Sequence, residues 1–235
     1  MLSIPVAVLA GALTTIAGMG GGTLLLLFLV ATGHDPLQSL AATSVGLLAG
    51  NLHRARMYRG HIDRRVAKSL MIGGLPAAIL GAFVATELPA EALRVGIAAI
   101  GLAGVLLAAT GVRIHPPQVG LSIAGATVGG ISSTTGGGGL LAGPFLLATG
   151  LTGRAYVSTG ACLAAAVHVG RLIGYGGGEG IPMETLGMGL AYVAAIPLGN
   201  VLGNRLRPYL PTSSTRPIEL GTAAVMAGLA MMGAS

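Results

Sequence analysis

Residues 18–22 read GMGGG, and they interrupt an apolar run that extends from residue 4 to residue 32. A second cluster, GGGG at residues 136–139, interrupts the apolar run from residue 118 to residue 149. Each glycine costs about 1 kcal/mol relative to alanine in a helix interior, so both clusters predict a broken helix. Irregular backbone is tolerated at membrane depth only where it is buried in protein or lines a cavity, and in transporters such breaks lie at the binding site. The two clusters are therefore the first candidates for a functional site.

Composition places the chain in a lipid bilayer. Of its 235 residues, 53% are hydrophobic and 9% are charged, with a mean hydropathy of +0.82, whereas soluble domains are about 25% charged. The formal charge of +6 comes from basic residues in short loops between apolar runs, which is the positive-inside pattern and not a nucleic-acid surface. We expect an all-α integral membrane protein whose partner is the lipid bilayer, with no nucleic acid.

The apolar residues form eight segments that are joined by short loops. The first and the fifth are the longest, and both contain a glycine cluster near the middle. The other six have the length of an ordinary membrane-spanning helix, about 20 residues. The segments cover residues 4–32, 37–58, 66–86, 92–112, 118–149, 155–175, 183–206 and 217–233.

The two halves of the chain share a series of motifs. Each half has a Gly-Ala pair before its glycine cluster, Ala-Thr-Gly at the end of its first segment, and a pair of hydroxyl residues soon afterwards. Tyr58 in the first half corresponds to Tyr175 in the second. A duplicated four-segment unit is the economical explanation. We assign residues 1–114 and 115–235 to the two repeats, which form one integrated transmembrane domain.

The charges in the loops predict how the two repeats are oriented. The loop between segments two and three is strongly basic and is expected to be cytoplasmic. If all eight segments crossed the membrane, a second basic loop would lie outside and an acidic loop inside. If segments one and five are re-entrant hairpins instead, the repeats are inverted, all acidic loops lie outside and the basic loops lie inside. The basic residues of these loops are Arg54, Arg56, Arg59, Arg64, Arg65, Lys68, Arg113, Arg154, Arg205, Arg207 and Arg216, and the acidic ones are Asp35, Glu87, Glu91, Glu179 and Glu184.

We therefore favour six full crossings and two re-entrant hairpins, in a multi-pass protein of the cell membrane with both termini outside. The arms on either side of each glycine cluster agree with this choice, because at 1.5 Å per residue they reach about as far as the membrane midplane. The alternative is eight full crossings, with long and tilted first and fifth helices.

The hairpin arrangement places the start of a helix at the membrane midplane twice. The second arms begin near Thr23 and Leu140, and each presents unpaired N–H groups and the positive end of a helix dipole. Such helix ends bind anions. We expect neutral donors here, because a buried fixed charge would hold a transported anion too tightly for release. The candidate substrate-binding residues are Gly20, Gly21, Gly22, Thr23, Thr43, Ser44, Asn51, Ser133, Thr134, Thr135, Gly136, Gly137, Gly138, Gly139, Ser158 and Thr159.

A few other residues have two interpretations. Arg171 either counters a substrate charge at a vestibule or snorkels to the membrane interface. His168, one helical turn before it, is either a proton carrier or a hydrogen-bonded structural group. Asn200 and Asn204 are interpreted as contacts between helices. Scattered glycines are interpreted as sites of close helix packing, namely Gly73, Gly81, Gly96, Gly104, Gly199 and Gly203.

The two glycine clusters also carry a family resemblance. AGMGGG at residues 17–22, GGGG at residues 136–139 with the following Pro144, and AATS at residues 41–44 resemble the sulfite exporter TauE/SafE family of membrane permeases over nearly the whole chain. The resemblance implies secondary transport of small sulfur-containing anions, such as sulfite or organosulfonates like sulfoacetate, usually outward across the cytoplasmic membrane. The counterpart of Pro144 in the first half is Leu27, so the two half-sites are not equivalent.

Three function classes follow from these features. The first is a secondary transporter of a small anion by alternating access, and the second is a passive anion channel with two re-entrant hairpins. An intramembrane enzyme has little support, because the chain has no Gly-x-Ser-x-Gly and no His-Glu-x-x-His motif. We expect no enzymatic activity, no cofactor and no metal. The nature of any coupling ion and the presence of a homodimer are left open.

Overall fold

The computed structural model describes residues 2–18, 20–110, 120–177 and 180–210, together with residues 225, 228 and 229. This part of the chain is helical and contains no strand, which confirms the all-α prediction. Arg113, Glu179, Arg216 and most of the predicted segment 217–233 lie outside the described residues. The helices are α1 Ser3–Ala17, α2 Gly21–Ala31, α3 Pro36–Met57, α4 Arg64–Glu87, α5 Ala90–Thr110, α6 Gly120–Thr135, α7 Gly138–Ala148, α8 Gly153–Gly176 and α9 Met183–Leu206, with short 3-10 turns at Arg59–His61 and Arg207–Tyr209.

The helices have the apolar surface of an integral membrane protein. By length and composition, α4, α8 and the helical stretch Met183–Tyr209 are each able to cross a membrane, while α1, α2 and α7 are shorter apolar helices. Large apolar side chains point outward, among them Leu80, Leu106 and Ile123, which are 68%, 65% and 64% exposed. Such a surface is stable in contact with lipid and unfavourable in contact with water.

Both glycine clusters break their helices, as predicted. The helix α1 ends at Ala17 and is followed by Gly18 with φ 88°, and α2 begins after Gly20 with φ 92°. Between α6 and α7, Gly136 and Gly137 have φ 77° and 74°. These are left-handed conformations, which glycine adopts without the steric cost that other residues meet. The breaks therefore follow from backbone conformations that require glycine.

The chain folds back on itself at the first break. A Cβ atom at Gly21, the first residue of α2, would overlap the carbonyl oxygen of Ala10 and the Oγ1 of Thr14 in α1. Ala10 lies about 10 Å before the end of α1, at 1.5 Å per residue. The start of α2 therefore packs along the side of α1 and does not extend from its end.

The contacts between glycines and neighbouring helices also give the relative directions of α1, α3 and α9. Successive residues of α1 meet successive residues of α9 in the same order, and α9 meets α3 in the same way. All three helices therefore run in one direction. The contacts are Gly199 with Val8, Gly203 with Ala12, Gly189 with Ala42 and Gly50 with Ile196.

A second group of three helices, α4, α6 and α8, also runs in one direction. Its contacts confirm the packing interpretation of Gly73 and Gly81, since a Cβ atom at either position would overlap backbone of α6. The contacts are Gly73 with Ser122, Gly81 with Gly130, Gly170 with Leu75 and Gly174 with Ile79.

The two groups run in opposite directions. The backbone N–H of Asp63, just after α3, donates to Thr159 near the start of α8 at 3.0 Å. Ser44, in the first half of α3, meets Arg171 near the end of α8 at 3.5 Å. Because the late part of α3 meets the early part of α8 and the reverse, these two helices are antiparallel.

Charges are sorted between the two ends of this bundle. The end of α3, the start of α4, the start of α8 and the end of α9 lie together, as the 2.7 Å hydrogen bond from the Tyr58 hydroxyl to Asn204 Oδ1 illustrates. We call this the basic end. Its charged residues are Arg56, Arg59, Arg64, Arg65, Lys68, Arg154, Arg205 and Arg207, with Asp63. The opposite, acidic end carries Asp35, Glu87, Glu91 and Glu184, with Arg94.

Candidate functional site

A cavity lies between α1, α2, α3, α6, α7 and α8, at the two helix breaks. Together with the open solvent at its mouth, it comprises about 820 Å³ of space free of protein atoms. Glycines from both breaks line it, Gly18 and Gly20 from the first and Gly136 and Gly137 from the second. The two sequence clusters therefore meet at one place.

Two helices begin at the wall of this cavity. The residues before α2 and α7 are Gly20 and Gly137, and neither has a side chain that caps the helix. The first N–H groups of a helix have no partner inside the helix, and they carry the positive end of its dipole. Gly22, Gly138 and Gly139, in the first turns, line the cavity. Both helix ends therefore present positive potential to its interior.

Two arginines also line the cavity. Arg54, from the last turn of α3, is 5% exposed, and Arg171 of α8 is 3% exposed. Arg171 donates from Nη2 to the carbonyl oxygen of Ser132 and approaches Ser44 Oγ. Arg54 donates from Nη2 to Asn51 Oδ1. No Asp or Glu among the described residues lines the cavity, so its charged side chains are cations.

His168 and Asn51 complete the polar wall. His168 lies one turn before Arg171, is 7% exposed, and has an Nδ1 without a hydrogen-bond partner in the described structure. Asn51 donates to the carbonyl oxygen of Leu47 at 2.7 Å and accepts from Arg54. With two guanidinium groups and two helix N-termini around one space, the site is suited to an anion.

The family model described as sulfite exporter TauE/SafE matches residues 3–231 of the 235-residue chain. The chain belongs to this family. Membership indicates membrane transport of sulfur anions such as sulfite, and the expectation of no enzymatic activity is consistent with it. No curated protein and no solved structure matches the chain.

In this TauE/SafE protein, many of the predicted site residues come together at the cavity. They come from both helix breaks and from α3 and α8, the regions that contain the glycine clusters and the pairs of hydroxyl residues. Those that line it are Gly20, Gly22, Thr23, Thr43, Asn51, Gly136, Gly137, Gly138, Gly139, His168 and Arg171.

The remaining predicted residues lie behind the wall or away from it. Hydroxyl groups within helices often donate to carbonyl oxygens of their own helix. Ser44 donates in this way to Leu40, and Ser158 donates to Arg154. Thr134 and Thr135 both donate to Ile131. Gly21 packs against α1, Ser133 accepts through its carbonyl from Tyr175, and Thr159 accepts from Asp63. The residues outside the lining are Gly21, Ser44, Ser133, Thr134, Thr135, Ser158 and Thr159.

The expectation of neutral donors alone is wrong for this TauE/SafE cavity. Arg54 was assigned by sequence to a cytoplasmic loop, but α3 continues to Met57, so Arg54 lies on the helix and faces the cavity. The snorkelling interpretation of Arg171 is wrong as well, since the side chain is buried. One sequence signal points to both arginines: N-x-x-R-x-x-x-Y at residues 51–58 parallels H-x-x-R-x-x-x-Y at residues 168–175.

Proposed function

We propose that this protein is a secondary transporter that exports small sulfur-containing anions, sulfite or an organosulfonate such as sulfoacetate, across the cell membrane. One observation carries the proposal. A single cavity joins two helix N-termini to the buried guanidinium groups of Arg54 and Arg171, and no acidic residue of the described structure lines it. Family membership supplies the chemical class of the anion.

Electrostatics gives the cavity its selectivity for anions. A buried cation without a partner is costly, because burial removes the water that would otherwise solvate it. A bound anion offsets this cost, and each helix N-terminus adds the equivalent of about half a positive charge. Thr23, which lines the same space, offers its hydroxyl group as a further donor, whereas the Thr43 hydroxyl donates to the carbonyl oxygen of Ser39 at 2.7 Å.

We propose that the two repeats are inverted and that segments one and five are re-entrant hairpins. If segment one crossed the membrane fully, α1 and α3 would run in opposite directions. Their common direction, with the start of α2 against Ala10, supports a hairpin instead. The opposite directions of α3 and α8 support the inversion. With the basic end in the cytoplasm, as the positive-inside rule expects, the N-terminus lies outside.

Alternating access requires the cavity to open to one side of the membrane at a time. Arg54 and Tyr156 line it close to the basic end. Towards the acidic end, the Tyr175 hydroxyl donates to the carbonyl oxygen of Ser133 at 2.5 Å, one turn beyond Arg171. We propose that the described conformation takes up substrate from the cytoplasm, and that export requires this outer contact to open.

Flux measurements test the proposal. The full chain in proteoliposomes is expected to transport sulfite or sulfoacetate with saturation, and substrate on the opposite side should accelerate the flux. Sulfate, thiosulfate and acetate serve as comparison anions. Transport that rises linearly with concentration and shows no acceleration would favour the passive channel, and no flux of any of these anions would overturn the proposal.

A further inference from the structure

We infer that the two buried arginines have different tasks: Arg54 binds the transported oxyanion directly, and Arg171 is a positioning residue that fixes the break between α6 and α7. This inference rests on the proposed function, since it assigns the binding of the substrate to one side chain. Arg54 and Arg171 occupy equivalent positions in the two repeats, but their hydrogen-bond partners differ.

The two arginines are equivalent in their position along the chain. The helices α2 and α7 begin at Gly21 and Gly138, and α3 and α8 begin at Pro36 and Gly153. The two helix starts in each pair are separated by the same number of residues. The same number separates residue 54 from residue 171 and residue 58 from residue 175. Each arginine therefore occupies the same position in its own repeat, and both line the same cavity.

Arg171 directs both of its terminal nitrogens at the protein itself, and only its Nε has no partner in the described structure. Its Nη2 donates to the carbonyl oxygen of Ser132, which also accepts the N–H of Gly136 at 2.7 Å, and its Nη1 lies 3.5 Å from Ser44 Oγ. One turn later, Tyr175 donates to the next carbonyl, that of Ser133. These carbonyls belong to the last turn of α6, which is the negative end of its dipole. Arg171 therefore stabilises the end of α6.

Among the described residues, Arg54 has no such contact with the first break. The carbonyl that corresponds to Ser132 is that of Thr14, because it accepts the N–H of Gly18, the glycine that ends α1, at 2.9 Å. Arg54 instead donates to Asn51, on its own helix, and the Tyr58 hydroxyl donates to Asn204. The Nε and Nη1 atoms of Arg54 have no partner in the described structure.

The Arg54 donors without a partner indicate what kind of ligand binds there. Nε and Nη1 carry three of the five N–H groups of a guanidinium, and the side chain of Arg54 is 5% exposed at the cavity wall. A planar array of donors fits an anion that has several oxygens on one atom better than it fits a spherical ion. Arg54 is thus expected to select sulfite or a sulfonate over chloride.

The test compares three variants of the purified full-length protein in detergent. Arg54→Gln and Arg171→Gln each remove one guanidinium, and Arg56→Gln makes the same charge change at an exposed position of the same helix. The melting temperature is measured without ligand and in a titration with sodium sulfite, sodium sulfoacetate or sodium chloride. The wild type should shift with a sulfur anion and not with chloride.

Arg54→Gln should keep or raise the melting temperature of the ligand-free protein, because it removes a buried cation without an anionic partner. Its affinity for the sulfur anion should fall on the order of 10- to 100-fold. Arg171→Gln should lower the ligand-free melting temperature, and Arg171→Lys, which keeps a donor for the Ser132 carbonyl, should restore part of it. Arg56→Gln should behave as the wild type.

Three results would overturn the inference alone: an unchanged sulfite shift in Arg54→Gln, a ligand-free melting temperature that falls as far in Arg54→Gln as in Arg171→Gln, or a loss of binding in Arg171→Gln at unchanged ligand-free stability. A chloride shift as large as that with the sulfur anions would overturn the selectivity for oxyanions. If the wild type responds to none of the sulfur anions, the proposed function fails, and the inference fails with it.

Discussion

At the scale of single residues, the helix breaks depend on conformations that only glycine adopts without strain. Gly136 has φ 77°, and a Cβ atom there would also overlap Cδ2 of Leu26 in α2. Gly150, after α7, has a similar φ of 80° but nothing within 4 Å of a Cβ atom. A comparison of alanine substitutions at Gly136 and Gly150 therefore separates the cost of backbone strain from the cost of the close approach between the two breaks.

We expect Gly150→Ala to lower stability by about 1–2 kcal/mol, the cost of a left-handed alanine. Gly136→Ala should cost a further ~1–3 kcal/mol, because the methyl group must displace Leu26. Thermal unfolding of both variants in detergent measures the difference. Equal losses would mean that Leu26 moves aside freely.

The residue scale is also where sequence reasoning was least complete. The glycines of the site were predictable, because so many glycines at matched places in two apolar segments are incompatible with continuous helices. Arg54 was not, since an arginine near a helix end resembles many interfacial arginines, and only the fold shows on which side of α3 it lies. More hydroxyl residues were predicted at the site than line the cavity, because most of these hydroxyl groups donate to backbone carbonyls of their own helices.

At the scale of elements, α2 and α7 have the half-length that the proposed midplane site requires. Each has 11 residues, which corresponds to about 16 Å at 1.5 Å per residue, about half of a 30 Å hydrocarbon core. Each also begins with two glycines, so no side chain covers its first two residues. A larger side chain at Gly22, Gly138 or Gly139, which line the cavity, should interfere with binding while leaving the helix intact.

Gly138→Leu tests this expectation. A Cβ atom at Gly138 would lie 3.0 Å from Cβ and Oγ of Ser132, so leucine has no room beside the cavity. We expect loss of sulfite binding in thermal-shift titrations, with normal insertion into the membrane. Gly187→Leu is the control, because Gly187 of α9 is exposed and a Cβ atom there meets nothing within 4 Å. Undiminished binding by Gly138→Leu would remove the α7 N-terminus from the site.

At the scale of the whole molecule, helical segments, glycine breaks and loop charges were all readable in the sequence, because each depends on local composition. The packing of α1 against α9 and of α4 against α6 was not readable, since those contacts join distant parts of the chain. The scattered glycines predicted that helices pack closely but not which helices are partners. Which residues line the cavity depends on which helices pack together, so the complete lining could not be predicted from the sequence.

Accessibility of single cysteines tests the proposed topology. In a Cys162→Ser background, cysteines at Leu2, His34 and Arg59, all of them exposed, report on three places along the first repeat. With a re-entrant first segment, an impermeant thiol reagent added outside intact cells should label positions 2 and 34 but not position 59. Labelling of positions 2 and 34 from opposite sides would establish a full crossing. The Cys162→Ser protein alone gives the background.

The contact between Leu26 and Gly136 links the two halves mechanically. Leu26 belongs to the same apolar cluster as Leu140 of α7, so α2 packs against both the second helix break and α7. Packed interfaces of this kind tend to have two discrete arrangements and to resist gradual sliding. We therefore expect α2 and α7 to change position together, so that a spectroscopic probe on each helix would report one shared rate of exchange.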